Sequence, residues 1–152
     1  MRGTGSRCRG RARDPAIALV TPAFPETART VYLGHLFVGT VPLAESPLKD
    51  HPLNPMRDSN LVRVLARQSR GQVGLVDLAT VANGAEAVSA RLDALAREGK
   101  GAAIADAVLD RALAVLGAAA LTRKVSTGAS GLGLGLARAL VAAGRVAPRA
   151  AE

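Results

Sequence analysis

The sequence predicts an α/β fold: a mostly parallel sheet with helices on both faces and a hairpin at its edge. Two observations carry that expectation. Short continuous apolar runs, AIALV at 16–20 and QVGLV at 72–76, have the length and turn-bounded setting of buried strands. From Gln72 onward such runs alternate with helical segments at the spacing of βαβ units, for which right-handed crossovers are expected.

The chain opens with an Arg/Gly leader at 1–14, whose low apolar content predicts disorder. After the strand at 16–20, TPAFPET places two prolines within four residues. They fix a turn where open α/β sheets gather their ligands. Residues 31–38 read as a strand, and Pro42 makes 41–43 a short edge strand. His35 lies inside this apolar run, where a packed, hydrogen-bonded imidazole and a functional one are both open.

The stretch HPLNPMRDSNLVRVLARQ at 51–68 is the most organised part of the chain. Pro52 and Pro55 stiffen a polar loop, and Asp58, Ser59 and Asn60, all good N-cap types, stand directly before a helix expected at 59–69. Arg63 and Arg67 fall one turn apart on it. A helix start with polar side chains and free N–H groups favours an anion, although an ordinary capped helix would look the same. Further helices are expected at 84–98, 107–120 and 131–143, with strands at 102–105 and 124–126 and a frayed tail at 144–152. Asp106 or Asp110 is expected to cap the helix at 107–120. Thr127, Gly128, Ser130 and Gly131 follow the last strand and open the last helix. Glycines there admit a phosphate or carboxylate to backbone N–H groups, or admit close packing of the helix.

Composition bounds the function. The 152 residues suit one domain, 49% are hydrophobic, and 2% are aromatic, so the core must be Ala, Leu and Val and stacking on single-stranded nucleic acid is disfavoured. The formal charge is +8, but Arg2, Arg7, Arg9, Arg11 and Arg13 against Asp14 place half of it in the leader. A nucleic-acid-binding module built on that leader is the rival from another functional class. Cys8 is the single cysteine and His35 and His51 the only imidazoles, which excludes an internal disulfide and a Cys/His zinc cluster. No secretory h-region precedes residue 15, and the apolar run at 113–121 is too short to span a bilayer. A cytoplasmic protein with no membrane partner is expected.

PAFPETARTVYLGHLFVG, LAESPLKDHPLNPMRDSNLVRVLARQ, the VGLV strand and TGASGLGLGL occur in an order and spacing that resembles the four-carbon acid sugar kinases, of the 3-oxo-tetronate kinase type. The resemblance covers about residues 16–140. It implies a two-domain ATP-dependent enzyme whose first domain holds a small acid sugar while the second holds ATP with Mg²⁺. Phosphate then goes to the terminal hydroxyl in the cleft between them. Arg57 stands where the family usually has Thr, Ala28 where it has Gly or Asn, and Ala129 where it has Gly.

What the resemblance implies here is a partial acid-sugar-binding domain over 15–143, inactive alone, binding no ATP or Mg²⁺ itself. A separate chain or a lost segment would carry the nucleotide domain. A non-functional remnant is the third reading. No catalytic residue is assigned and no metal ligand is expected. The substrate-binding candidates are His35, Asp58, Ser59, Asn60, Thr127, Gly128, Ser130 and Gly131.

Overall fold

The computed structural model describes residues 16–147; the disorder expected for the leader at 1–14 lies outside them, as does the tail from residue 148. In chain order, β1 (Ala18–Thr21) leads into β2 (Arg29–Tyr32), β3 (His35–Val38) and β4 (Val41–Pro42). Then come α1 (Leu61–Gln68), β5 (Gln72–Val76), α2 (Leu78–Ala82), α3 (Ala85–Arg97) and β6 (Lys100–Ala105). The chain continues through α4 (Asp110–Ala120), β7 (Ser126–Gly128) and α5 (Ser130–Ala142). The main sheet has the order β5-β6-β1-β7, every pairing parallel.

Helices cover both faces, and one pair of neighbouring residues shows why. Side chains alternate along a strand, so Gly74 and Leu75 of β5 point to opposite sides. A Cβ added to Gly74 would press within 2.7 Å of Leu95 on α3, whereas Leu75 lies near Gly34 and Val62 of α1. The rest of the α/β layer follows on the α3 side, because β5→β6 and β6→β7 both step in the same direction and right-handed crossovers then share a face. Between the layers Leu19, Val76, Val88, Leu92, Leu95, Leu113 and Leu116 are fully buried, each contributing about 2 kcal/mol over exposure. The core is aliphatic, as the scarcity of rings requires.

Several boundaries differ from the sequence expectation. Residues 31–38 are two strands, not one: Leu33 (φ +48°) and Gly34 (φ +72°) form a two-residue turn with both residues left-handed, pairing Tyr32 with His35. That hairpin is not an edge of the main sheet but joins β4 in a separate antiparallel sheet, β2-β3-β4. It is tied to the main sheet by reciprocal backbone hydrogen bonds between Val31 and Ala107, 2.9 and 3.0 Å. Ala107 is thereby taken from the helix expected at 107–120, which starts only at Asp110. β7 lies two residues later than expected, since Ser126, Thr127 and Gly128 pair with Leu19, Val20 and Thr21. A short α2 was not expected; Asp77 caps it by accepting from Thr80 N at 2.8 Å.

The glycines of α5 are spent on packing. A methyl group on Gly117 of α4 would overlap the Gly135 backbone, and one on Gly135 would overlap Leu113 O, so the two helices touch backbone to backbone. Gly133, on the same helix, faces open space. We expect Gly135→Ala to destabilise the protein by about 1–3 kcal/mol through overpacking, despite the better helix propensity of Ala. Gly133→Ala should instead stabilise it by about 0.5–1 kcal/mol. Urea melts of both variants check this; equal midpoints would show that the α4–α5 contact is looser than described.

Candidate functional site

The C-terminal ends of the parallel strands carry a rim of loops, where a sheet of this class places ligands. The loop after β1 forms one part. Its Phe24 pairs with Arg29, and its Ala23 carbonyl lies 2.6 Å from where a Cβ on Gly131 would sit. The β2–β3 turn forms the centre, and the starts of α1, α2 and α5 complete it.

Asp106 holds the centre of this rim. It follows β6 and is fully buried, and it caps no part of α4, contrary to the sequence expectation. Its carboxylate accepts from Leu33 N at 2.8 Å, Gly34 N at 2.9 Å and Leu78 N at 3.1 Å. Burial pushes its pKa up, opposed by those three N–H groups, and the nearby Asp77 charge adds to the rise. The Leu33–Gly34 turn and the start of α2 are thus fastened to one carboxylate. The sequence signal was a single acid directly after the apolar run AAIA, at the end of a strand.

Four of the expected site residues meet around the start of α1. Gly34 O accepts from Leu61 N at 2.8 Å and Ser59 O from Leu36 N at 2.9 Å, which seats the 58–60 segment on β3. Asn60 Oδ1 caps α1 by accepting from Arg63 N at 2.9 Å, while its Nδ2 lies 3.3 Å from His35 Nε2. His35 Nδ1 is 2.9 Å from Leu33 O, so both contacts are satisfied when the neutral ring carries its proton on Nδ1. Ser59 is buried, and its hydroxyl oxygen accepts from Ala44 N at 2.8 Å.

Asp58 is saturated. Oδ1 accepts from Asn60 N (3.0 Å) and Arg63 Nη2 (2.6 Å), and Oδ2 accepts from Arg63 Nε (2.7 Å) and Arg67 Nη1 (3.2 Å). A carboxylate offers about four lone-pair directions, and all are used. The Arg63 guanidinium, helped by the Asn60 N–H and the Arg67 charge, holds its pKa down to about 2 against some desolvation.

The other four candidates lie on the far side of the same rim. Thr127 and Gly128 are exposed and form the end of β7, with Gly128 pressed against Thr21 O. Ser130 is exposed at the first position of α5, and Gly131 is buried beneath it. Ala129 N donates to Thr21 O at 3.2 Å, whereas the N–H groups of Ser130 and Gly131 have no acceptor among the described residues. Both groups therefore stand at the C-terminal edge, but toward opposite ends of the strand order. No described hydrogen bond joins them, and the open basin beside Asp58 is lined by Pro55, Arg57, Asp58, Arg63 and Arg67 alone.

Residues 7–136 match the family described as the sugar-binding N-terminal domain. A 3-oxo-tetronate kinase of Methylobacterium radiotolerans is 78% identical over 129 residues, covering 85% of this chain and 30% of that protein. A solved Haemophilus influenzae protein is 42% identical with a TM-score of 0.80, covering 84% of this chain and 31% of its own. A Bordetella bronchiseptica protein, solved as a domain-swapped dimer with bound citrate, is 28% identical with a TM-score of 0.67, covering 85% and 30%. The chain thus spans about 30% of the length of the curated relatives it matches.

Two outcomes follow from the carboxylates. Asp106→Asn keeps the shape but turns an NH₂ group toward backbone N–H donors, and should cost about 1–3 kcal/mol in chemical denaturation; an unchanged midpoint would show that the rim does not hang on this group. Because the folded-state pKa of Asp58 is depressed, its contribution to stability is present above the ordinary Asp range and is lost as pH falls from about 4 toward 2. Denaturation midpoints of the wild type and Asp58→Asn should therefore converge over that interval. Parallel curves would contradict the assignment.

Proposed function

The chain belongs to the sugar-binding N-terminal domain family, and from that membership we propose that it holds a four-carbon acid sugar of the 3-oxo-tetronate type for phosphorylation at its terminal hydroxyl. The 78% identity to a 3-oxo-tetronate kinase is the observation that carries the reading. The citrate in the Bordetella bronchiseptica relative, a small polycarboxylate, supports a carboxylate-bearing ligand.

In this reading Thr127, Gly128, Ser130 and Gly131 receive the carboxylate or the transferring phosphate. The unpartnered N–H groups of Ser130 and Gly131 and the positive end of α5 favour negative charge there. Asn60 reads a substrate hydroxyl from the other side of the rim, and His35 orients its amide. Asn60 Nδ2 keeps one N–H free, and the ring of His35 is already oriented by Leu33 O. Asp58 and Ser59 act by holding those groups in place, since their acceptor oxygens serve Arg63, Arg67, Asn60 N and Ala44 N.

A kinase of this type takes its phosphoryl group from ATP, and catalysis then rests on positioning donor and acceptor with metal and cationic groups. The rim's carboxylates do not fit a resident metal ion. Asp106 faces three N–H donors, Asp58 faces two guanidinium groups, and Asp77 Oδ1 is engaged by Thr80 N. The nucleotide and its Mg²⁺ belong, in this reading, to the part of the relatives' length that this chain does not match. Among the described residues no helix is long and apolar enough to cross a membrane.

Calorimetric titration of the chain with a four-carbon acid sugar tests the reading. Ser130→Ala should weaken binding by about 1 kcal/mol, the net worth of one hydrogen bond, while Asn60→Ala should lower both affinity and helix stability. Absence of binding across a set of four-carbon acids would overturn it.

A further inference from the structure

We propose that Arg63 and Arg67, positioned by Asp58, form a binding site for a phosphate-class oxyanion in the basin outside α1, distinct from the acid-sugar rim. The basin has a volume of about 630 Å³ and is lined by Arg57, Arg63, Arg67, Asp58 and Pro55. Three guanidinium groups face a single acid there. Arg57 is shared with Asp50 at 3.4 Å, but both partners are largely exposed, so that pair is a weak competitor. The basin keeps a surplus of positive charge.

Orientation makes this more than a charged surface. Arg63 spends its Nε–H and one Nη2–H on Asp58, and Arg67 spends one Nη1–H. Of the five N–H donors on each guanidinium, three on Arg63 and four on Arg67 have no acceptor among the described residues. Arg63 and Arg67 are one helical turn apart, so the anchored groups lie side by side. A carboxylate that fixes two flexible arginines removes in advance the side-chain entropy a ligand would otherwise have to overcome. Paired guanidinium forks suit an oxyanion with several oxygens, and the positive end of α1 adds to the field. Free phosphate and the phosphoryl group of a small phosphomonoester share that chemistry. The site makes Asp58 a positioning residue.

The test is a titration of the 152-residue chain with inorganic phosphate at constant ionic strength, chloride being the counter-ion, followed by NMR of the arginine Nε–H groups. The expected result is a saturable shift of the Arg63 and Arg67 signals. Arg67→Gln, a change at a largely exposed side chain, should weaken binding at least ten-fold, while Arg97→Gln on α3, which packs on the other face of the sheet, should leave it unchanged. Asp58→Asn separates a built site from a charged patch. It raises the positive charge, so a patch would bind phosphate more tightly, whereas a site that depends on positioned arginines binds it less tightly. A second arm with glycerol phosphate assigns the source: comparable or tighter binding points to a phosphomonoester, and binding of phosphate alone points to the free ion. A non-saturating shift, unchanged affinity in Arg67→Gln, or tighter binding by Asp58→Asn would overturn the proposal. None of these readouts uses an acid sugar, so failure here leaves the substrate reading standing, and the reverse also holds.

Discussion

Asp106 is the interaction on which the rest of the rim depends. One buried carboxylate satisfies two N–H groups of a left-handed hairpin turn and the first N–H of α2. Leu33 is a branched residue at φ +48°, a conformation that costs an L-residue about 1–2 kcal/mol, and a charged acceptor beneath it is what offsets the strain. With the turn held there, Gly34 O meets Leu61 N and His35 meets Asn60, so the start of α1 is placed relative to the parallel sheet. Without this anchor the second sheet would be held near this end by the Val31–Ala107 and Phe24–Arg29 pairs and by the contacts of β3 and its turn with the start of α1.

The second constraint is close backbone packing. Gly128, Gly131 and Gly135 press respectively on Thr21 O, Ala23 O and the backbone of α4. The glycine-rich stretch therefore owes much of its composition to geometry, while the exposed Ser130 and the free N–H groups beside it remain available to a ligand. Packing and binding are compatible because they use opposite sides of the same turn. Ala28 sits at φ +57° and carries a strain that a glycine there would avoid.

Electrostatics divides the chain differently from sequence order. Asp58 and Asp106 are both carboxylates at the C-terminal edge, yet their pKa values move in opposite directions. Two guanidinium groups stabilise the charge on Asp58, whereas desolvation penalises the charge on Asp106. Asp58 organises cations on the outer face of α1, and Asp106 organises backbone donors in the interior. The oxygens of both are occupied by donors of the protein itself.

The sequence alone determined the α/β class, the parallel strands at 72–76 and 102–105, α1 with its polar start, and the last helix, because periodicity and capping are local properties. It also carried the family, through linked short motifs. The split of 31–38 into a hairpin was not legible, since Leu33 has no turn propensity and adopts φ > 0 only because Asp106, more than 70 positions away, accepts its N–H. The separate second sheet, the late start of α4 and the two-residue shift of β7 have the same origin: backbone partners supplied by distant strands decide where an element ends. The meeting of His35 with Asn60 follows from that hairpin, and so does the saturation of Asp58 from the turn of helix beside it. Residue types announced which groups were polar and near a helix start; only the tertiary structure decided which of their hydrogen-bonding positions were already taken.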